Sequence, residues 1–314
     1  MSAQCHCVKE GENFLNRLFI IGNGFDIEHG LPTRFDPHFK TIAQTVEQID
    51  YFWDIYQSQQ VDIWSDFENC LAHPNFNELE EIFNEYSPDY FSERESDRNA
   101  IIIQVDLNGN LYDALYVFAD QAEDAIDSTL SLARYKNYFT KNDLFISMNY
   151  THTLEKLYGI NNDQILHIHG EVGKDNLLLG YPDGNFAPEK YYYDVRRKGV
   201  GPYVEVDIRS HIEDMLEDEQ LDYYTYTAYK QLISKTESFY KIPQLKNLTN
   251  FLFRKDIEEI VVVGHSCKID FPYFQFLNEK FPHSRWFFNP FDISTEVAVL
   301  KMIENIEIKN YKIE

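Results

Sequence analysis

Apolar runs of strand length that stop abruptly at a small or polar cluster constrain this chain more than any other feature. The run at 17–21 breaks at Gly22-Asn23-Gly24, and the run at 143–148 breaks at Asn149-Tyr150-Thr151. A third, at 165–168, ends at His169-Gly170, and a fourth, Ile257 to Val263, ends at Gly264-His265-Ser266. Strands that are apolar at successive positions are buried on both faces, which is the habit of parallel sheets. Open α/β folds place their ligands at the carboxyl edge of such sheets, where these polar clusters fall. Helical spacing fills the intervals. Val61, Trp64, Phe67 and Leu71 share one face, and Leu111, Leu115, Phe118, Ala122, Ile126, Leu130 and Ala133 share another. Strands separated by helical patterns predict a Rossmann-like parallel sheet flanked by helices, joined by right-handed crossovers.

With 314 residues, core burial is not limiting. Residues 1–16 read as a tail and 17–314 as a single α/β domain. A helical insertion occupies about 40–140, with a polar, broken stretch from Ser87 to Gly109. A Tyr-rich, irregular and acidic insertion occupies about 181–250. Further strands are expected at 177–180 and 285–288, with a terminal helix after the latter. The 28 Lys and Arg against 52 Asp and Glu give a net charge of −24, which repels phosphate backbones and disfavours general nucleic-acid or anionic-membrane binding. No apolar stretch reaches the roughly 20 residues of a membrane helix, and nothing resembles a secretory leader, so a soluble cytoplasmic protein with reduced thiols is expected. Cys5, Cys7, Cys70 and Cys267 form no paired CxxC knuckles. Cys5-His6-Cys7 reads as a chance cluster in the tail, and no metal is expected.

Several groups at the strand ends could carry chemistry. Gly22 and Gly24 permit a sharp turn and close approach by a ligand, though a purely structural turn fits equally well. Asp26 would repel a phosphate there, so it points away, holds a ribose hydroxyl or caps a helix. Asn149 is either a turn or capping residue, with Thr151 capping toward Glu155, or an amide that orients a sugar hydroxyl or a water. His167 and His169, two apart on a strand, are expected to share a face. As a pair they could hold metal, but no third ligand follows from the sequence; His169, beside Gly170, could serve as a general base. Gly264-His265-Ser266 lacks the closing glycine of a nucleophile elbow, because Lys268 stands there, and reads as a turn approaching a nucleotide, supported by Asp270 and Tyr273. Glu68 falls on the inward face of its helix and needs a partner, most simply a salt bridge. Lys190, Arg196, Arg197 and Lys198 form the basic cluster, read as a solvated loop.

In order along the chain, IIGNGFDIEHGLPT (20–33), WSDFENCL (64–71), MNYTHTLEKLYG (148–159), HIHGEV (167–172) and VVGHSCKIDFPYF (262–274) resemble the AbiH family of bacterial phage abortive-infection proteins. That resemblance implies antiviral defence without defining a reaction. The same order of blocks is similar, more distantly, to sirtuin-like NAD-binding and NAD-hydrolase domains. Gly22-Asn-Gly24 running into Gly30-Leu-Pro32, an Asn ending a strand at Asn149, a His-Gly at 169–170 and a Gly-x-Ser at 264–266 carry this second likeness. It implies Asn149 and His169 as catalytic, and Gly22, Asn23, Gly24, Asp26, Pro32, Gly170, Gly264, His265, Ser266 and Asp270 as lining for NAD. Asp26 replaces a small hydroxyl residue of that pattern, Arg34-Phe35 reverses its Phe-Arg order, and its zinc module is missing. The leading expectation is a defence effector that binds NAD or a related nucleotide and hydrolyses its N-glycosidic bond. The alternatives are a non-catalytic nucleotide sensor acting through proteins, and a metal-dependent nucleotide or nucleic-acid hydrolase using His167, His169 and acidic neighbours. A small nucleotide ligand is the expected partner, with room for a phage or host protein trigger and for a homo-oligomer.

Overall fold

The computed structural model describes residues 16–45, 108–181, 223–265 and 270–288, with shorter pieces at 56, 63–65, 67–72, 74, 192–193, 204–205, 214, 217, 267 and 308–310. Six parallel strands form the main sheet: β1 (Arg17–Ile21), β2 (Leu144–Ser147), β3 (Ile165–His167), β6 (Glu259–Val263), β7 (Arg285–Phe288) and β8 (Ile308–Asn310), in the order β3-β2-β1-β6-β7-β8. A separate antiparallel pair joins β4 (Tyr192–Tyr193) to β5 (Val204–Glu205). Numbered by their own succession, the six strands run 3-2-1-4-5-6, so the order reverses between β1 and β6. Those two central strands pair from Arg17 opposite Glu259 to Ile21 opposite Val263.

The apolar runs are continuous because both faces of the sheet are covered. Leu18, Ile20, Leu144, Ile146, Ile260, Val262, Trp286 and Phe288 pack on one side, against Leu248 and Leu252 of α8 (Leu245–Phe251) with the turn after it, and against Phe274 and Leu277 of α9 (Phe271–Lys280). Phe19, Ile21, Phe145, Val261, Val263 and Phe287 pack on the other, against Phe25 of α1 (Asn23–Glu28), Tyr135 of α5 (Ala133–Tyr138) and Leu154 of α6 (Thr153–Tyr158). The period of two along each strand sends alternate side chains to opposite cores.

A third core sits beyond the carboxyl edge. The long helix α4 (Asn108–Ile126) contributes Leu111, Leu115 and Phe118. Phe39 beside α2 (Lys40–Ala43), Phe67 in α3 (Phe67–Cys70), and Ala228 and Leu232 in α7 (Tyr223–Ser238) complete it. The segment 181–250, read as irregular, thus carries two helices among its described residues, and Tyr spacing hid them. The face predicted on α4 holds through Ile126 and then fails: Leu130 is 84% exposed, and Ala133 opens a new helix. The hydroxyls of Ser128 and Thr129 both donate to Ala125 O, drawing the last carbonyls out of the helical ladder.

Residues 177–180 are no strand. Leu177 and Leu179 point into the third core as alternation suggests, but Leu178 N–H donates to His169 O and Tyr181 N–H to Phe239 O, so the segment pairs with loops and not with the sheet. The expected terminal helix, the basic cluster 190–198, Cys5-His6-Cys7 and Ser266 lie outside the described residues.

Candidate active site

At the reversal between β1 and β6, two glycine turns interlock. Gly22 N–H donates to Val263 O at 2.9 Å and Gly24 N–H to Gly264 O at 2.7 Å. A Cβ on Gly22 would lie 2.6 Å from Gly264 O, and one on Gly24 would lie 2.7 Å from Gly264 Cα. These glycines admit the close approach of another backbone, as their structural reading requires. Gly264 adds a left-handed φ of +63°, and a Cβ there would meet Phe25 N at 2.3 Å. Strain and overpacking together predict that Gly264→Ala costs about 2–4 kcal/mol, read as a lowered urea midpoint. An unchanged midpoint would contradict the interlock.

Above this junction lies a cleft of about 440 Å³, within the roughly 300–1,000 Å³ of small-molecule sites. Asn23, Gly24, Asp26, Asn149, His169, Gly264, His265 and Asp270 all line it. Gly22, Pro32 and Gly170 do not. Gly22 acts one step back, its carbonyl accepting Asn149 Nδ2 at 3.1 Å. Gly170 is needed for a φ of +89° and for its close approach to Asn176. The sequence reading missed Thr33, Arg34, Phe35, Phe118 and Tyr150 as lining. Phe118 in particular has the helical spacing of a core residue, and the pattern does not separate a cavity wall from a core.

Asn149 is buried just past β2, and its amide nitrogen holds the β1 turn. It neither caps a helix nor closes a turn through its side chain. Thr151 does not cap α6 either: its hydroxyl donates to Asp26 Oδ2 at 2.5 Å, and Thr153 donates to Asp26 Oδ1 at 2.8 Å. The Asp26 carboxylate thus ties α1 to the loop carrying Asn149. Burial raises its pKa to about 6, opposed by the hydrogen bonds from Thr151, Thr153 and Asn149. The folded chain then holds a proton that the unfolded chain releases, so this group's contribution to stability is present below its ordinary pKa of 3.8 and lost as pH rises through about 6. The difference of about 2 units corresponds to at most about 3 kcal/mol. Asp26→Asn is expected to gain on the wild type by up to that amount between about pH 4 and pH 7 in urea titrations; parallel profiles would contradict the assignment.

Asp270, just ahead of α9, is the hub of the opposite wall. Its Oδ2 accepts His265 Nε2 at 3.0 Å, and its Oδ1 lies 3.0 Å from His169 Nε2 and 3.3 Å from Lys241 Nζ. Lys241 also reaches Glu68 Oε1 at 3.1 Å, supplying the salt bridge that Glu68 needed. Burial pushes the Asp270 carboxyl up, but the nearby His169 and Lys241 and the hydrogen bond from His265 hold it well below the usual range. Burial pulls Lys241 down, and the two carboxylates more than reverse this. His265 Nδ1 accepts Cys267 N–H at 2.9 Å, so the proton of the neutral ring sits on Nε2 and is donated to Asp270. The His169–Asp270 contact is close but poorly aligned, leaving His169 Nε2 and Asp270 Oδ1 buried without a hydrogen bond. Lys241 was invisible in the sequence, because an isolated Lys after Phe239-Tyr240 carries no pattern.

His167 and His169 do not share a face. β3 ends at His167, and the chain turns before His169. His169 enters the cleft, whereas His167 turns toward α6, where its Nε2 lies 2.8 Å from Glu155 Oε1. Nearby, His152 bridges Glu123 and Glu171, each at 3.0 Å. Hydrogen bonding to Glu123 lifts His152 to about 9 against the opposing effect of burial. Burial alone would raise Glu123, but its bonds from His152 hold it at about 2.

No helix among the described residues is long and apolar enough to cross a membrane. No curated protein matches the sequence. The family described as bacteriophage abortive infection AbiH matches residues 18–290, a span that includes every strand and loop building the cleft. The chain belongs to the AbiH family, a membership that implies a role in abortive defence against phage.

Proposed function

We propose that the cleft binds NAD or a related nucleotide and hydrolyses its N-glycosidic bond, making the chain a defence effector. The observation that carries this reading is the convergence of Asn149, His169, Asp26 and Asp270 in one crevice at the reversal of strand order. Ligands of open α/β sheets bind at such reversals. The sirtuin-like order of the sequence blocks supports the choice of nucleotide.

The charge of the cleft suits glycosidic chemistry better than phosphate transfer. Three carboxylates, Glu68, Asp26 and Asp270, face it against one guanidinium, Arg34, with Lys241 buried behind Asp270. Carboxylates stabilise an oxocarbenium-like ribosyl centre as positive charge develops there. His169 Nε2 lies 3.0 Å from Asp270 Oδ1, and the neutral ring takes a proton from water on Nδ1. Asn149, anchored through Nδ2 to Gly22, offers its Oδ1 to position that water or a ribose hydroxyl. The water oxygen bonds to the anomeric carbon as the carbon–nitrogen bond breaks, and the bond pair neutralises the departing pyridinium. The water proton goes to His169.

Calorimetric titration with NAD, paired with chromatography of the products, tests this reading. Binding with release of nicotinamide and ADP-ribose is the expected result. Saturable binding without release would favour the sensor, and absence of both from protein taken from phage-challenged cells would overturn the site.

A further inference from the structure

Behind the Asn149 loop, outside the lining of the cleft, two imidazoles and the Glu155 carboxylate face one another, with Glu171 beside His152. His152 precedes α6, Glu155 follows three residues later in its first turn, and His167 ends β3. One donor atom from each of these three lies within 4.8 Å of the other two. Glu171 joins from the next loop, 3.0 Å from His152 Nε2.

The contacts of His167 need a positive centre on Nε2, a proton or a metal ion. Its Nδ1 lies 3.2 Å from the backbone carbonyl of Asn149, which can only accept, so Nδ1 carries the proton. In the neutral ring Nε2 then presents a lone pair to Glu155 Oε1 at 2.8 Å. Two acceptors at that distance repel unless a proton or a metal ion joins them. His152 spans two carboxylates, Nδ1 on Glu123 and Nε2 on Glu171, so a metal ion bound at Nε2 would replace the proton there. Independently, Glu155 Oε2 is buried without any hydrogen-bond partner.

We propose that His152 Nε2, His167 Nε2 and Glu155, with Glu171 beside His152 able to complete the set, form a binding site for a divalent transition metal of the zinc type. Two imidazoles and two carboxylates are a suitable donor set for such an ion. The outer ring nitrogens are already held as metal-ligating histidines require, His167 by the Asn149 carbonyl and His152 by Glu123. A metal there would give Glu155 Oε2 a partner. Because His167 grips the backbone of Asn149, the ion would also fix the loop that carries this residue into the cleft. The site is separate from the cleft and its role is positional. It differs from the alternative of a metal held by His167 and His169, since His169 lies against Asp270.

The experiment uses the full chain with Cys5, His6 and Cys7 replaced by Ser, Gln and Ser, so that the amino-terminal cluster cannot contribute. After chelator treatment it is titrated with Zn²⁺ by calorimetry and with Co²⁺ by visible spectroscopy. One equivalent per chain is expected, with Co²⁺ bands of a four-coordinate nitrogen and oxygen site lacking thiolate charge transfer. Glu155→Gln, which can still hydrogen-bond His167, should weaken Zn²⁺ at least about 10-fold, and Glu123→Gln about 10–100-fold. Asp127→Asn, exposed nearby, should leave affinity unchanged. Failure of the chain to bind either ion, or unchanged affinity in Glu155→Gln, would overturn the proposal. Neither readout depends on NAD.

Discussion

His169→Ala is expected to lower the rate of NAD cleavage by about 10²–10⁴-fold while leaving NAD affinity within a few-fold. The asymmetry follows from the role assigned to the ring. His169 is buried beside Asp270, which stays ionised because Lys241, His265 and His169 itself compensate its burial. A ring held in that way accepts a proton as the water attacks and contributes little to holding the resting nucleotide, so its loss falls on kcat. Asn149→Ala is expected to cost about 10²–10³-fold, with part of the loss appearing in KM, because Asn149 also fastens the β1 turn through Gly22 O. Asp270→Asn should match His169→Ala in rate and add a shift in the pH profile, since the orienting charge is lost and the ring remains. Steady-state nicotinamide release measures all three. Full activity in His169→Ala would remove the proton acceptor from the scheme.

Lys241→Met is expected to destabilise the fold by about 3–5 kcal/mol, measured by urea unfolding. The Lys241 side chain is 1% exposed, and it stands between Glu68 and Asp270. Removing it leaves two carboxylates in the interior with no cation between them, and uncompensated buried charge is among the largest single penalties in a folded chain. Pairing Lys241→Met with Glu68→Gln and Asp270→Asn should recover much of the loss, because the penalty belongs to the carboxylates left behind. Additive losses in the combined variant would show that Lys241 acts by packing alone.

The sheet was legible because its strands are short apolar runs with sharp polar ends; β1, β2, β3, β6 and β7 fall within two residues of their expected bounds. β8, at Ile308–Asn310, escaped notice because a Lys interrupts a three-residue strand. Which clusters meet at one cleft was also readable, since Asn149, His169 and Asp270 each follow a strand or its loop. Individual roles were less so. The glycines of 22–24 fit a ligand turn and a backbone interlock equally well, and the interlock with Gly264 shows only in the folded chain. Period-two spacing placed His167 with His169, but spacing holds only while the strand lasts, and β3 stops at His167. Thr151 had the spacing of a helix cap and instead bonds Asp26, 125 positions away, a contact that no local pattern encodes. Lys241 shows the same limit, as its partners come from α3 and from the residue preceding α9.

Under the proposed reaction, the cleft lined by Asn149 and His169 destroys NAD when defence is triggered. The most direct measurement is cellular NAD through phage infection, in cells carrying either the wild-type chain or His169→Ala at equal abundance. NAD should fall after infection with the wild type and hold steady with the variant, and protection should be lost with it. Protection by the wild type with NAD unchanged throughout infection would contradict the account.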